Sequence, residues 1–321
     1  MNKQIAQIID KAIDGEEISA PELRSLLDVD YLSEESYIIQ YAARKVASEA
    51  AHGKAEVHAQ VGMNVGPCPK DCQFCSFAPV NKIFPKQQEF SLEEIIQKAL
   101  RLEGDGASAI YLMTTAAYDL ARYIEVAKEV RAALKTETPM VANVDDFDED
   151  GASALKKVGF AGVYHVVRLG EGVVTRIDPA LRLKTIAFAQ KAGLLVGTCV
   201  EPVGPEHTPD EIAERTMLAK SFHPVHGGSG RRMRIPGSPL EAKGTLTKAR
   251  ERLVVAATKL AFGYSIAGHA GINLSWAESG SNPRDTKADT VIGATVATRR
   301  KELEEEGWEV LAGPSLLFAQ N

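Results

Sequence analysis

Three cysteines stand close together in the stretch Cys68-Pro69-Lys70-Asp71-Cys72-Gln73-Phe74-Cys75, with Phe74 directly before the third. Thiolates at this CxxxCxxC spacing can each take a different iron of a cubane [4Fe–4S] cluster. Such a loop leaves the fourth iron without a ligand of its own, and an open iron can bind a substrate. The alternative is a structural zinc site, but zinc takes four ligands, usually from paired CxxC knuckles. Only one other cysteine exists, Cys199. The spacing therefore favours the cluster.

The rest of the composition bounds what such a loop can belong to. The chain has 321 residues, 45% hydrophobic and 25% charged, as in an ordinary globular protein. Its net charge of −6 gives no electrostatic reason to expect a nucleic-acid partner. No apolar run approaches the roughly 20 residues of a membrane span, and Met1-Asn2-Lys3-Gln4 does not open a secretory signal. Three of four cysteines on one loop argue against a disulfide framework and for a reducing compartment. A cytoplasmic enzyme without a membrane partner is expected.

The elements that must position the loop follow from periodicity. Residues 3–51 read as helices, with Ser19 and Glu22 spaced as a capping box and a second start at Ser33. Beyond them, short apolar strands at 55–63, 107–113, 140–144, 162–167, 194–200, 231–235 and 264–267 alternate with amphipathic helices. Those helices are expected at 91–103, 118–134, 148–158, 179–192, 209–221, 245–262 and 286–305. Alternation of this kind means parallel β/α units, and seven or so repeats favour an α/β fold of TIM-type (β/α) barrel form, full or partly open. Residues 1–50 would be an N-terminal helical cap and 51–321 the barrel. Chemistry in such barrels sits at the C-terminal strand ends, and the cysteine loop follows the first strand directly. The segments 202–209 and 226–230 read as loops on that face.

With these residues in view, the chain resembles the radical S-adenosylmethionine (SAM) superfamily, in the branch containing biotin synthase, an [FeFe]-hydrogenase maturase and methylornithine synthase. The resemblance covers roughly residues 35–285. It rests on the cysteine loop, on Arg182-Leu183-Lys184-Thr185-Ile186 before Ala192-Gly193, on Val203-Gly204-Pro205-Glu206-His207-Thr208, and on Arg234-Ile235-Pro236-Gly237-Ser238-Pro239-Leu240. It implies that Cys68, Cys72 and Cys75 hold a [4Fe–4S] cluster whose open iron chelates S-adenosyl-L-methionine. Reduction by an external donor such as flavodoxin or ferredoxin would cleave SAM to a 5′-deoxyadenosyl radical. By the same resemblance Arg182 would bind the SAM carboxylate, a task suited to a planar guanidinium. Glu171, Thr114, Thr115 and Phe74 would complete the SAM site. Without the motif, Arg182 reads as a solvated helix residue.

The departures bear on the reaction. Biotin synthase holds a second, sacrificial cluster on three cysteines and an arginine. The corresponding places here are Leu112, Pro139, Gly197 and His269, and its dethiobiotin-binding run is replaced by His165-Val166-Val167-Arg168-Leu169. Cys199 alone cannot hold a cluster. Barrel-lining candidates are His165, His269, and Arg232 with Arg234, which alternation would place on one face of a strand. Each has a plain structural alternative: a satisfied core histidine, or a rim ion pair. His58, Asn143, Asp145, Asn273, Trp276 and Glu278 are further possible contacts. The expectation is a radical enzyme acting on a small-molecule substrate in cofactor or unusual amino-acid synthesis, by rearrangement or fragmentation. Pyridinol-cofactor, methylornithine and dithiol-ligand biosynthesis all belong to that range. Biotin synthase-type sulfur insertion is the alternative, and a non-catalytic iron–sulfur scaffold or electron carrier is the rival from another class.

Overall fold

A computed structural model describes residues 2–278 and 294–319. Eight parallel strands close into a barrel: β1 (Lys54–Gly62), β2 (Ala109–Met113), β3 (Met140–Asn143), β4 (Phe160–Tyr164), β5 (Leu195–Gly197), β6 (His226–Arg231), β7 (Gly268–Ala270) and β8 (Leu274–Glu278). Each pairs with the next, and β8 returns to β1 with Leu274 opposite Glu56, so the ring has no free edge. A short strand, Val200–Val203, continues the line of β5 along β6, with Val200 opposite Ser229 and Val203 opposite Arg231.

Ten helices are described, α1 (Lys3–Ile13), α2 (Ala20–Leu27), α3 (Glu34–Ala50), α4 (Leu92–Gly104), α5 (Leu120–Ala133), α6 (Glu149–Val158), α7 (Pro179–Lys191), α8 (Pro209–Ser221), α9 (Lys248–Phe262) and α10 (Val296–Glu305). Ser19 and Ser91 start helices as expected, each backbone N–H donating to the glutamate three residues on, at 2.7 and 2.8 Å. The apolar faces of α1–α3 pack with those of α8 and α9 through Leu23, Leu26, Ile39, Ile212 and Leu253. No helix among the described residues is long and apolar enough to cross a membrane.

The late strands differ from the sequence expectation. The run His226-Gly227-Gly228-Ser229-Gly230 is a buried barrel strand rather than a loop, and Arg231 is its last residue rather than its first. Glycine is required there by close approach. A Cβ on Gly228, which has φ +152°, would come within 2.3 Å of the Ala270 Cβ. Sequence periodicity reads side chains, and a strand without them gives no signal. Residues 264–267 likewise do not form a strand, since a 3₁₀ turn (Gly263–Ser265) precedes β7. The expected last helix begins at Val296, and 286–293 of the expectation lie outside the described residues.

The barrel interior holds a polar chain among aromatic rings. His58 Nε2 donates to Glu56 Oε2 at 2.8 Å, because an ionised carboxylate can only accept. Its Nδ1 lies 3.1 Å from the Tyr111 hydroxyl, whose oxygen accepts from His226 Nε2 at 2.8 Å. The segment after α10 closes this end. The Ser315 hydroxyl and Leu316 N–H also donate to Glu56, while Phe318 packs near the rings of His58, Tyr111 and His226.

Burial alone would raise the Glu56 pKa, but the His58 pair, the Ser315 hydroxyl and the Leu316 amide outweigh it and hold it below the usual range. A lowered folded-state pKa contributes stability above the unfolded value of about 4.3, lost as pH falls through the folded value. Denaturant titrations should therefore show an acid limb below about pH 4.3 that weakens in Glu56→Gln. Glu56→Ala, which strips three donors of their acceptor, should cost about 3 kcal/mol at neutral pH. An unaltered midpoint would contradict this account.

Candidate active site

The cysteine loop leaves the C-terminal end of β1 and is braced by hydrogen bonds from the protein itself. Cys68 N–H donates to the Phe77 carbonyl at 2.8 Å and Cys75 N–H to the Cys72 carbonyl at 2.8 Å. The Asn81 amide donates to the carbonyls of Gln73 and Cys75 at 3.1 and 2.8 Å. Two backbone bonds tie the loop to the chain after β4: Gln73 N–H to Val174 O at 3.0 Å, and Arg176 N–H to Lys70 O at 2.7 Å. Gly66 permits the entry, since it has φ +146° and a Cβ would meet the Gln87 Cα at 2.7 Å.

All three cysteines border one cavity of about 200 Å³, together with Phe74, Met113, Thr114, Thr115, Asn143, Asp145, Tyr164, Arg168 and Arg182. The thiols are free, and burial raises the pKa of Cys72, to about 12, and of Cys75. Among the described residues no three His, Cys, Asp or Glu side chains converge as a set for one metal ion. Three thiols on the wall of one cavity fit a cluster, where each thiolate takes its own iron. The Thr114 hydroxyl and one Asp145 carboxylate oxygen are buried in this wall without a partner, as a polar ligand site requires.

The sequence candidates divide into two groups. Phe74, Thr114, Thr115 and Arg182 reach the cavity with the cysteines. Thr115 is held by Asn64, which accepts its N–H at 2.9 Å and donates to its hydroxyl at 2.8 Å. Arg182 is buried rather than solvated: Nη1 donates to His165 Nε2 at 2.7 Å, and Nε lies 3.4 Å from Asp146. His165 stands behind Arg182, its pKa lowered to about 4 by burial and the Arg182 charge, so it stays neutral. Glu171 is buried beside the site but accepts the Arg168 N–H at 2.8 Å, bracing its own turn.

Arg232, Arg234 and His269 are not part of this cavity. Because β6 ends at Arg231, no alternation aligns Arg232 with Arg234. Arg232 is buried in a bidentate pair with Glu206, and Arg234 pairs with Glu241 at 3.0 Å near the surface. His269 turns away from the interior, against Thr258 and the Phe262 ring on α9.

The main residue that sequence reasoning did not assign is Arg168. Its guanidinium borders the cavity 3.4 Å from Glu201. Burial opposes its charge, but Glu201, Tyr164 and Glu171 outweigh that and hold it protonated. Its place after a barrel strand was the available signal. Cys199 is fully enclosed nearby, its pKa raised well above normal by burial and Glu201.

Residues 66–218 match the family model of the radical SAM superfamily. The chain carries a radical SAM domain. It is 26% identical over 234 residues to biotin synthase of Carboxydothermus hydrogenoformans, covering 69% of this chain and 70% of that protein. Against biotin synthase of Rickettsia felis the identity is 25%, over 59% of this chain and 63% of the relative. In fold it resembles the FeFe-hydrogenase maturase HydG from Carboxydothermus hydrogenoformans, with TM-score 0.78 and 19% identity over 98% of this chain and 81% of that one. Methylornithine synthase (PylB) gives TM-score 0.73 at 17% identity, over 97% of this chain and 98% of that one. The matched domain marks the chain as an enzyme, and the cofactors of the radical SAM superfamily are a [4Fe–4S] cluster and S-adenosyl-L-methionine. Gly66→Ala should strain the loop entry by about 1–3 kcal/mol. It should lower iron uptake on reconstitution while leaving the far-ultraviolet circular dichroism unchanged, and full uptake would show that the entry turn does not control the loop.

Proposed function

We propose that this radical SAM enzyme abstracts hydrogen from a small molecule and promotes its rearrangement or fragmentation, in cofactor or unusual amino-acid biosynthesis. The observation that carries the choice of reaction is the surroundings of Cys199. Sulfur insertion from a second cluster needs several soft ligands in the barrel. The positions that would supply them are Leu112, Pro139, Gly197 and His269, and His269 faces α9. None of these four positions carries a thiol to join Cys199.

In this reading Cys68, Cys72 and Cys75 hold the cluster, which supplies the electron that cleaves SAM. Arg182, oriented by Asp146 and His165, binds the SAM carboxylate, and Thr114 offers its unpartnered hydroxyl. Arg168 adds a second fixed cation, suited to a carboxylate of SAM or of the substrate. Met113, Tyr164 and Val166 line the wall and limit water around the reacting centre.

Anaerobic reconstitution should load about four irons per chain, and the triple Cys68, Cys72, Cys75→Ala variant should load none. In the wild-type scaffold Arg182→Ala should weaken SAM binding by about 1.5–3 kcal/mol. A triple variant that keeps its iron, or an unchanged SAM affinity, would redirect these assignments.

Dethiobiotin should give no biotin above background, and Cys199→Ser should keep its iron content and SAM cleavage. Biotin formation, or iron loss in the Cys199 variant, would restore sulfur insertion as the reaction.

A further inference from the structure

The ring of helices around the barrel is incomplete at one place. Each of β1 to β6 is followed by a helix, but β7 passes to β8 through Gly271, Ile272 and Asn273 alone. A cavity of about 290 Å³ lies there, bordered by α3, α9 and that turn. It shares no residue with the cavity that the cysteines border. Two guanidiniums line it, Arg44 from α3 and Arg252 from α9, and neither is paired with a carboxylate among the described residues. The Arg44 guanidinium lies over the Trp308 ring, 3.8 Å from its centroid. Stacking fixes the plane of the fork and leaves its N–H edges to bind an anion. The carboxylates on the same wall do not neutralise these cations. Glu251 is engaged with Arg231 at 3.2 Å, and Glu306 is exposed. Ser229 of β6 is only 5% exposed, and its hydroxyl lies 3.4 Å from that of Thr258. A hydroxyl has one donor and two acceptor sites, so that single contact leaves it open to a guest.

We propose that this cavity binds a small organic carboxylate with a short apolar body, at a site separate from the radical chemistry. The chain carries a net charge of −6, so an anion is drawn here by the local cations and not by the molecule as a whole. Val255, Ala256 and Ile272 form the apolar part of the wall. An apolar wall with a few convergent polar groups is the general form of a small-molecule site. An inorganic anion gains nothing from those three side chains, and a neutral apolar guest leaves both guanidiniums unused. A carboxylate matches the planar fork of arginine, in one bidentate pair or shared between the two. The volume is about twice the ~150 Å³ that takes a benzene ring. That leaves room for a ring, or an aliphatic chain of similar size, with a short arm to the carboxylate. Binding here involves no covalent step.

The test is calorimetric titration of the anaerobically reconstituted full chain with three probes: 3-phenylpropionate, its uncharged amide, and inorganic phosphate. Wild type should bind the carboxylate about 10-fold more tightly than either of the other two. Arg252 is exposed, so Arg252→Gln should fold with the thermal midpoint of wild type. That variant should weaken the carboxylate about 10-fold and leave the amide unchanged. Val255→Met, which narrows the cavity without altering its charge, should weaken the carboxylate and the amide alike. The Arg252-dependent binding should persist in Arg182→Ala, because Arg182 belongs to the other cavity. Absence of carboxylate binding in wild type would overturn the proposal, as would equal affinity for the amide or for phosphate. Wild-type affinity in Arg252→Gln, or loss of the binding in Arg182→Ala instead, would place the probe elsewhere and overturn it too.

Discussion

Two backbone hydrogen bonds hold the site together: Gln73 to Val174 and Arg176 to Lys70. They join the loop after β1 to the loop after β4, which are separated by about 100 residues of chain and three barrel strands' width. Closing so long a loop is costly in entropy, and here the closed barrel meets that cost by fixing both strand ends. Once they are joined, the cysteines, Arg168 and the front of α7 share one wall. In the proposed cluster site the thiols then have little freedom left to lose on metal binding, so binding energy would not be spent on ordering the loop. Asp71, at φ +48°, and its pair with Arg176 tighten the same junction.

The opposite end of the barrel solves a different problem. Glu56, His58, Tyr111 and His226 are all buried, and each polar atom there must find a partner. The chain after α10 supplies two of the three donors to Glu56. The same segment places Phe318 among the interior rings, so the floor is closed by packing and by hydrogen bonds at once. His226 Nδ1 is the exception, a buried acceptor with no protein partner. Burial and the neighbouring histidines keep that ring neutral, which lowers the cost of leaving one nitrogen unpaired.

Where side chains alternate or cap, the sequence was a good guide. Ser91 with Glu94, the apolar run of β2 and the cysteine spacing each have a local cause, and local causes are visible in letters. The cysteine loop and Arg182 meet in one cavity, which the motif resemblance implied. The strand β6 was hidden because its core contribution is the absence of side chains: Gly227 lies against Phe262 and Gly228 against Ala270. Misplacing that strand by five residues moved Arg232 and Arg234 onto a barrel face they do not occupy. His269 was misleading for a related reason. On a three-residue strand, a one-residue change of register exchanges the interior for the helix side.

Arg182 and Arg168 show why residue type alone does not assign a role. Arg182 sits in a helix whose polar and apolar residues are not cleanly segregated, so periodicity cannot say that it is buried. Its environment comes from Asp146 and His165, on the chain after β3 and β4, and only the folded barrel brings them together. That triad holds the guanidinium by one edge and leaves its Nε without a hydrogen-bond partner. Arg168 is held instead through Glu201, from the strand after β5. Two guanidiniums anchored by different carboxylates on one cavity wall cannot collapse onto the same counter-ion. Each remains positioned as a separate cation, and the cavity therefore presents two fixed positive points to an anionic guest, which a single flexible lysine could not do.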